Sequence, residues 1–160
     1  MLRPVQLPSL LARGKLYLCS MPGRCEPLEV FLHELENCQI NHILCLVSDS
    51  EIEEKSPDYL EAIKAETLPA RLWQHEIPDY GVPNQAGGIL HAVKSIKQAL
   101  IRGESVVIHC AAGIGRTGMV AVLLLTRLGF SIPTATRTIE QAGSTPETEE
   151  QWHFIDLASQ

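Results

Sequence analysis

The chain has 160 residues, and 19 Asp+Glu against 13 Lys+Arg give it a net charge of −6. A surface of that sign repels polyanions, so neither nucleic acid nor an anionic membrane is an expected partner. Hydrophobic residues make up 45% and charged residues 20%, which argues against disorder, and the length suits one domain spanning residues 1–160.

The longest purely apolar run, Met119 to Leu125, is far shorter than the ~20 residues of a membrane span. The N-terminus lacks the unbroken apolar stretch of a secretory signal, so a cytoplasmic protein is expected, taken to be a monomer. Cys19, Cys25, Cys38, Cys45 and Cys110 are odd in number and form no C-x-x-C pair. That spacing argues against a disulfide framework and against a zinc site, and no metal or cofactor is expected.

In chain order, Lys15–Ser20 reads as a strand, and Pro27 opens a helix with Leu28, Phe31, Leu32 and Leu35 at helical spacing. Ile43–Val47 is a continuous apolar run of the kind that fills a buried sheet position. Asp49 to Thr67 is charged and reads as loop and short helix. Arg71–Ile77 is a third strand, closed by the loop Pro78-Asp-Tyr-Gly-Val-Pro83. Asn84 is a candidate N-cap for a helix bearing Ile89, Val93, Ile96 and Leu100 and ending at Gly103. Ser105–Cys110 is a strand, Ala111–Gly115 a tight loop, and Arg116–Leu128 a helix apolar on nearly all sides, hence central. Pro133 to Ala142 and Glu147 to Ala158 read as the last helices. Alternating strands and helices predict an α/β fold: a central, mostly parallel sheet of about four to five strands with helices on both faces. A ligand then belongs at the carboxyl ends of the strands, where Asp79 and Cys110 both fall.

The chemistry is concentrated in Ser105-Val-Val-Ile-His-Cys-Ala-Ala-Gly-Ile-Gly-Arg-Thr-Gly118. Small residues after the strand let the chain fold into a cup with inward N–H groups, an anion nest. The following helix adds the positive end of its dipole at the same place. Arg116, six positions after Cys110, can return to grip two oxygens of a phosphate. An arginine is unfavourable at a helix N-terminus unless an anion sits there. Cys110 at the floor sees positive potential and should ionise below the ~8.5 of a free thiol, which makes it a nucleophile aimed at phosphorus.

His109-Cys110-Ala-Ala-Gly-Ile-Gly-Arg116-Thr117-Gly118 resembles the signature loop of the cysteine-dependent protein tyrosine phosphatases: a cysteine, five residues, an arginine and a Ser or Thr. The resemblance implies that Cys110 is the nucleophile, that Arg116 and the N–H groups of Ala111, Ala112, Gly113, Ile114 and Gly115 bind phosphate, and that Thr117 assists departure of the thiolate. It also implies that His109 tunes the cysteine. Ile77-Pro-Asp-Tyr-Gly-Val-Pro83 resembles the mobile loop of the same family, with Asp79 as general acid. Ala142-Gly-Ser144 followed by Gln151-Trp-His-Phe-Ile resembles a later segment whose glutamine, here Gln151, places water in the second step; by itself Gln151 falls on a helix expected to be partly exposed, where it reads equally as a solvated polar residue. The length, and the lack of an Asn-Arg-Tyr segment, are similar to the compact dual-specificity group, and within it to the kinase-associated phosphatase branch.

Other readings compete. Gly113-Ile-Gly115-Arg-Thr-Gly118 matches G-x-G-x-x-G after a strand, with Glu140 about 20 positions onward as a dinucleotide site asks. Pro133 sits where that fold needs a second strand, and only 42 residues follow Gly118. Cys45 is either a core thiol or a disulfide partner protecting Cys110, the former being favoured. His33, His42, His75, His91 and His153 lack metal-ligand spacing. Because the signature loop carries no Lys or His between Cys110 and Arg116, one phosphate on a protein side chain suits it better than a highly charged head group. The expected partner is a phosphoprotein substrate. The alternatives are a phosphoprotein-binding module with little catalysis and a phosphatase of a non-protein ester such as a phospholipid.

Overall fold

A computed structural model covers residues Met1–Gln160. Its centre is a five-stranded sheet of β1 (Arg3–Val5), β2 (Leu16–Cys19), β3 (Ile40–Cys45), β4 (Arg71–Gln74) and β5 (Ser105–His109), ordered β1-β2-β5-β3-β4. Only β1 runs antiparallel, against β2; the other three pairings are parallel, as the strand–helix alternation predicts. β5 lies between β2 and β3 with every residue buried, which suits its unbroken Ser-Val-Val-Ile-His run.

Seven helices pack around the sheet: α1 (Leu28–Asn37), α2 (Asp49–Lys55), α3 (Pro57–Lys64), α4 (Ala86–Arg102), α5 (Gly115–Arg127), α6 (Ile132–Gln141) and α7 (Glu149–Ala158). α5 is the hub, buried without interruption from Gly115 to Leu125 and touching α4, α6 and α7. That burial explains its nearly all-round apolar sequence. No helix is long and apolar enough to cross a membrane.

Three details depart from the sequence reading. β1 has no periodic signal: it is three residues long and carries Pro4, tolerable because it is an edge strand. The charged stretch after Asp49 forms two consecutive helices, α2 and α3, in place of loop and one short helix. α4 is preceded by Gln85 in an extended conformation with no side-chain cap, so Asn84 does not cap it. The regular ladder of β4 stops at Gln74, yet His75 and Ile77 still donate to the Cys45 and Leu46 carbonyls at 2.9 and 3.1 Å. The chain therefore stays beside β3 until Ile77 and delivers the next loop to the same end of the sheet as Cys110.

Candidate active site

The loop after β5 closes around Cys110, whose side chain is almost fully buried. Four of its carbonyls are held by protein donors. Cys110 O accepts from the His109 ring at 3.0 Å, and Ala111 O from the Met21 N–H at 2.9 Å. Gly113 O accepts from Ser144 Oγ and Arg3 Nη2, each at 2.6 Å. Ile114 O accepts from the Gly118 and Thr145 N–H groups at 2.7 and 3.3 Å. In a trans peptide the next N–H points the opposite way, so fixing the carbonyls outward turns the following N–H groups inward. Those of Ala111, Ala112 and Ile114 donate to no backbone carbonyl, and that of Gly113 meets Cys110 Sγ at 3.3 Å. The result is a nest of donors with sulfur at its base, which suits a tetrahedral anion.

Two glycines make the cup possible. Gly113 has φ +74, and a Cβ there would lie 2.3 Å from the Cys19 carbonyl oxygen. A Cβ on Gly118 would lie 2.5–2.7 Å from the Thr145 backbone. The G-x-G-x-x-G spacing thus serves close packing of the loop against β2 and of α5 against the segment after α6.

His109 is fully buried, and burial pulls its imidazole down to about 4. It is therefore neutral near pH 7, and facing a carbonyl fixes the proton on Nδ1. Nε2 must then accept, and Tyr59 Oη donates to it at 2.8 Å. His109 thus contributes orientation of the Cys110 backbone, not positive charge. Thr117 is fully buried and its Oγ1 has no partner within the protein, an exposed cost that a structural role does not explain.

Arg116 occupies the first turn of α5 and only 2% of its side chain is exposed. Its Nη1 and Nη2 donate to the two carboxylate oxygens of Glu51 at 2.9 Å each, and Nη1 also reaches the Ile77 carbonyl at 3.0 Å. Burial pulls the guanidinium pKa down, but the Glu51 bonds and nearby negative groups outweigh it and the net direction is up. The same bonds hold Glu51 below the ordinary carboxylate value. Asp79 Oδ1 stands 3.2 Å from Arg116 Nη2, although 65% of the Asp79 side chain is open. The structure thus brings Cys110, Arg116 and Asp79 to one end of the sheet.

The Asp79 loop is tied down from α7. Tyr80 takes a left-handed φ of 58°, its carbonyl accepts from Thr148 Oγ1 at 3.2 Å, and the Gly81 carbonyl accepts from Gln151 Nε2 at 3.1 Å. The expectation that Gln151 sits on a partly exposed helix face is corrected here. Gln151 is fully buried, and its Oε1 is taken by the Glu147 N–H at 2.8 Å. Burial follows from its position beneath the loop it anchors.

Glu51, Tyr59 and Arg3 were not singled out in the sequence, and Ser144 entered only as part of the Ala142-Gly-Ser144 segment, with no role of its own. Ser48-Asp-Ser-Glu51 has the form of a capping box and could have revealed α2. Ser48 does accept from the Glu51 N–H, but the Glu51 carboxylate goes to Arg116, a pairing no local pattern announces. All five cysteines are free; Cys45 is buried, donates to the Val47 carbonyl and is pushed up to about 12 by burial. It is held as a core thiol.

Residues 7–155 match the family described as PTP-SAK: Swiss Army Knife protein, DSP-PTPase phosphatase domain. The chain belongs to this family. Human tyrosine-protein phosphatase non-receptor type 20 is 30% identical over 138 residues, a match spanning 81% of this chain and 31% of that protein. Human receptor-type tyrosine-protein phosphatase epsilon is 35% identical over 68 residues, 42% of this chain and 10% of that protein. The chain thus spans less than a third of the length of these relatives. A crystal structure of kinase associated phosphatase, with serine in place of its catalytic-site cysteine, superposes with a TM-score of 0.83 at 20% identity, covering 97% of this chain and 91% of that one. The DSP-PTPase fold, and the likeness to kinase-associated phosphatase read from the sequence, are both met.

Proposed function

We propose that this DSP-PTPase domain hydrolyses phosphomonoesters on proteins through a phosphocysteine intermediate, without a metal. One observation carries the reading: Cys110 Sγ sits beneath unclaimed inward N–H groups, with Arg116 and Asp79 held together at the rim. The thiolate of Cys110 attacks phosphorus and the ester P–O bond breaks. Asp79 gives its proton to the departing oxygen as that bond fails. Asp79, now a carboxylate, takes a proton from water while the water oxygen attacks phosphorus and the P–S bond breaks. Thr117 Oγ1, otherwise unpartnered, is the donor available to the returning sulfur. Arg116 and the N–H groups of Ala111 to Gly115 bear the charge on the non-bridging oxygens throughout. Gln151 serves this cycle by holding the Asp79 loop, with any water it orients reached from that fixed position.

Ile114 and Tyr80 are exposed on the two loops that meet at Arg116 and offer an apolar rim to an aryl phosphate. That rim, with no Lys or His in the signature loop, favours phosphotyrosine among phosphoprotein substrates. A reducing, cytoplasmic setting fits a thiol nucleophile among five free cysteines. The experiment is hydrolysis of p-nitrophenyl phosphate, a phosphotyrosine peptide and a phosphoinositide by wild type, Cys110→Ser and Asp79→Asn. Activity on the first two that vanishes in Cys110→Ser supports the proposal. An inactive wild type that binds the phosphopeptide would make it a binding module, and a preference for the phosphoinositide would move the substrate to lipid.

A further inference from the structure

Arg3 lies on β1, outside every segment that carries the signature, yet its guanidinium reaches the phosphate loop. Nη2 donates to the Gly113 carbonyl at 2.6 Å and Nη1 to the Ala142 carbonyl at the end of α6 at 2.8 Å. β1 is placed to do this because Arg3 is in register with Leu18, and the adjoining Cys19 carbonyl packs against Gly113. A Cβ on Gly143 would come within 2.4 Å of Arg3 Nη1, so Gly143 leaves the path open. Ser144, the next residue, donates to the same Gly113 carbonyl at 2.6 Å.

Arg3 is about half buried, and burial lowers its pKa. No carboxylate stands within ion-pairing distance of it, whereas Arg116, the other arginine at the phosphate loop, is paired with Glu51 and Asp79. Two neutral donors would have satisfied the two carbonyls just as well. An uncompensated cation is costly to bury unless an anion arrives nearby. The loop it touches is the one whose inward donors await an anion.

We propose that Arg3, acting with Ser144 on the Gly113 carbonyl, is a positioning residue of the phosphate cup. It locks the Gly113–Ile114 peptide with the Ile114 N–H turned inward and polarises that N–H through a charge-assisted bond. The cup is therefore completed by a strand far outside the signature loop. This rests on the phosphatase reading above. The benefit falls on the transition state, where charge on the non-bridging oxygens is greatest, so kcat and vanadate affinity depend on it more than KM does.

The test compares wild type with Arg3→Met, Arg3→Lys and Ser144→Ala on p-nitrophenyl phosphate, with vanadate inhibition and melting temperature measured alongside. Losing a direct oxyanion donor costs roughly 10²–10³ in kcat, so loss of its orienting partner should cost about tenfold or more. Arg3→Met is expected to lose that factor in kcat and in vanadate affinity with KM changed less than about threefold. Arg3→Lys, which keeps the charge, recovers part of it, and Ser144→Ala loses a smaller factor in the same direction. If Arg3→Met fails to fold, the folded Ser144→Ala and Arg3→Lys proteins decide. Variants with kcat and vanadate affinity within about twofold of an active wild type overturn this inference and leave the phosphatase reading intact. A wild type with no Cys110-dependent turnover instead overturns that reading itself.

Discussion

Replacing Glu51 by glutamine removes the charge that holds Arg116 while keeping the shape of the side chain. The pair is bidentate at 2.9 Å on both arms, with Arg116 2% and Glu51 19% exposed. Breaking a fully buried pair costs about 3–5 kcal/mol because the remaining charge is stranded. Here the stranded guanidinium keeps the Ile77 carbonyl at 3.0 Å and Asp79 at 3.2 Å, and glutamine can still accept one bond. The expected cost is therefore about 2 kcal/mol, or a fall of roughly 4–8 °C in melting temperature for a chain of this size. The catalytic effect has a distinct direction. Without Glu51, Asp79 is the one carboxylate left beside Arg116, and an Asp79 side chain drawn to the guanidinium is drawn away from the departing oxygen that needs its proton. Turnover of a poor leaving group, such as a phosphoserine peptide, should fall more than turnover of p-nitrophenyl phosphate. Saturating vanadate should restore more of the lost melting temperature in Glu51→Gln than it adds to wild type. Scanning calorimetry with and without vanadate, together with the two substrates, reads all three effects. An unchanged melting temperature, or equal losses on both substrates, would refute the reasoning.

Two further outcomes follow from the geometry. His109 is held down to about 4 by burial, against an ordinary value of 6.5. Below pH 6.5 the unfolded chain takes a proton that the folded protein refuses until about pH 4, so stability falls with falling pH across that window, by roughly 3 kcal/mol. Asn at 109 can keep the bond to the Cys110 carbonyl and cannot titrate, so melting temperatures of His109→Asn between pH 7 and 4 should decline less steeply than wild type; parallel curves would contradict the assignment. At Gly118 an alanine Cβ would strike the Thr145 backbone at 2.5–2.7 Å, whereas at Gly87 it meets nothing within 4 Å. Gly118→Ala should therefore destabilise by about 1–3 kcal/mol or more, while Gly87→Ala gains a few tenths to about 1 kcal/mol. Denaturant midpoints that move the same way for both would defeat the packing argument.

What could be read in the sequence was what is local. The strand into Cys110, the small residues of the cup and Arg116 at a helix start lie within one short segment, and each has its own physical reason. The all-round apolar character of α5 likewise announced its central place. The groups that hold these residues are distant in sequence and carry no periodic signal. Glu51 looked like one charge in a charged stretch, and Arg3 lies on a three-residue strand too short to show alternation. Tyr59, which donates to His109 Nε2, sits in the same charged stretch and reads there as an ordinary helix residue. Gln151 was misjudged in exposure because its helix faces the Asp79 loop, and a loop leaves no imprint on the helical pattern beneath it. Chemistry was legible where residues are neighbours in the chain, and support was legible only once the sheet brought β1, α2, α3 and α7 around the loop.

The most direct examination of the nucleophile is to mix the protein with excess p-nitrophenyl phosphate, quench in acid within the first turnovers, and map the phosphoryl group by mass spectrometry. The account predicts a phosphoryl adduct on the peptide containing Cys110, absent from Cys110→Ser. Turnover persisting in Cys110→Ser, or the adduct on any other residue, would contradict it.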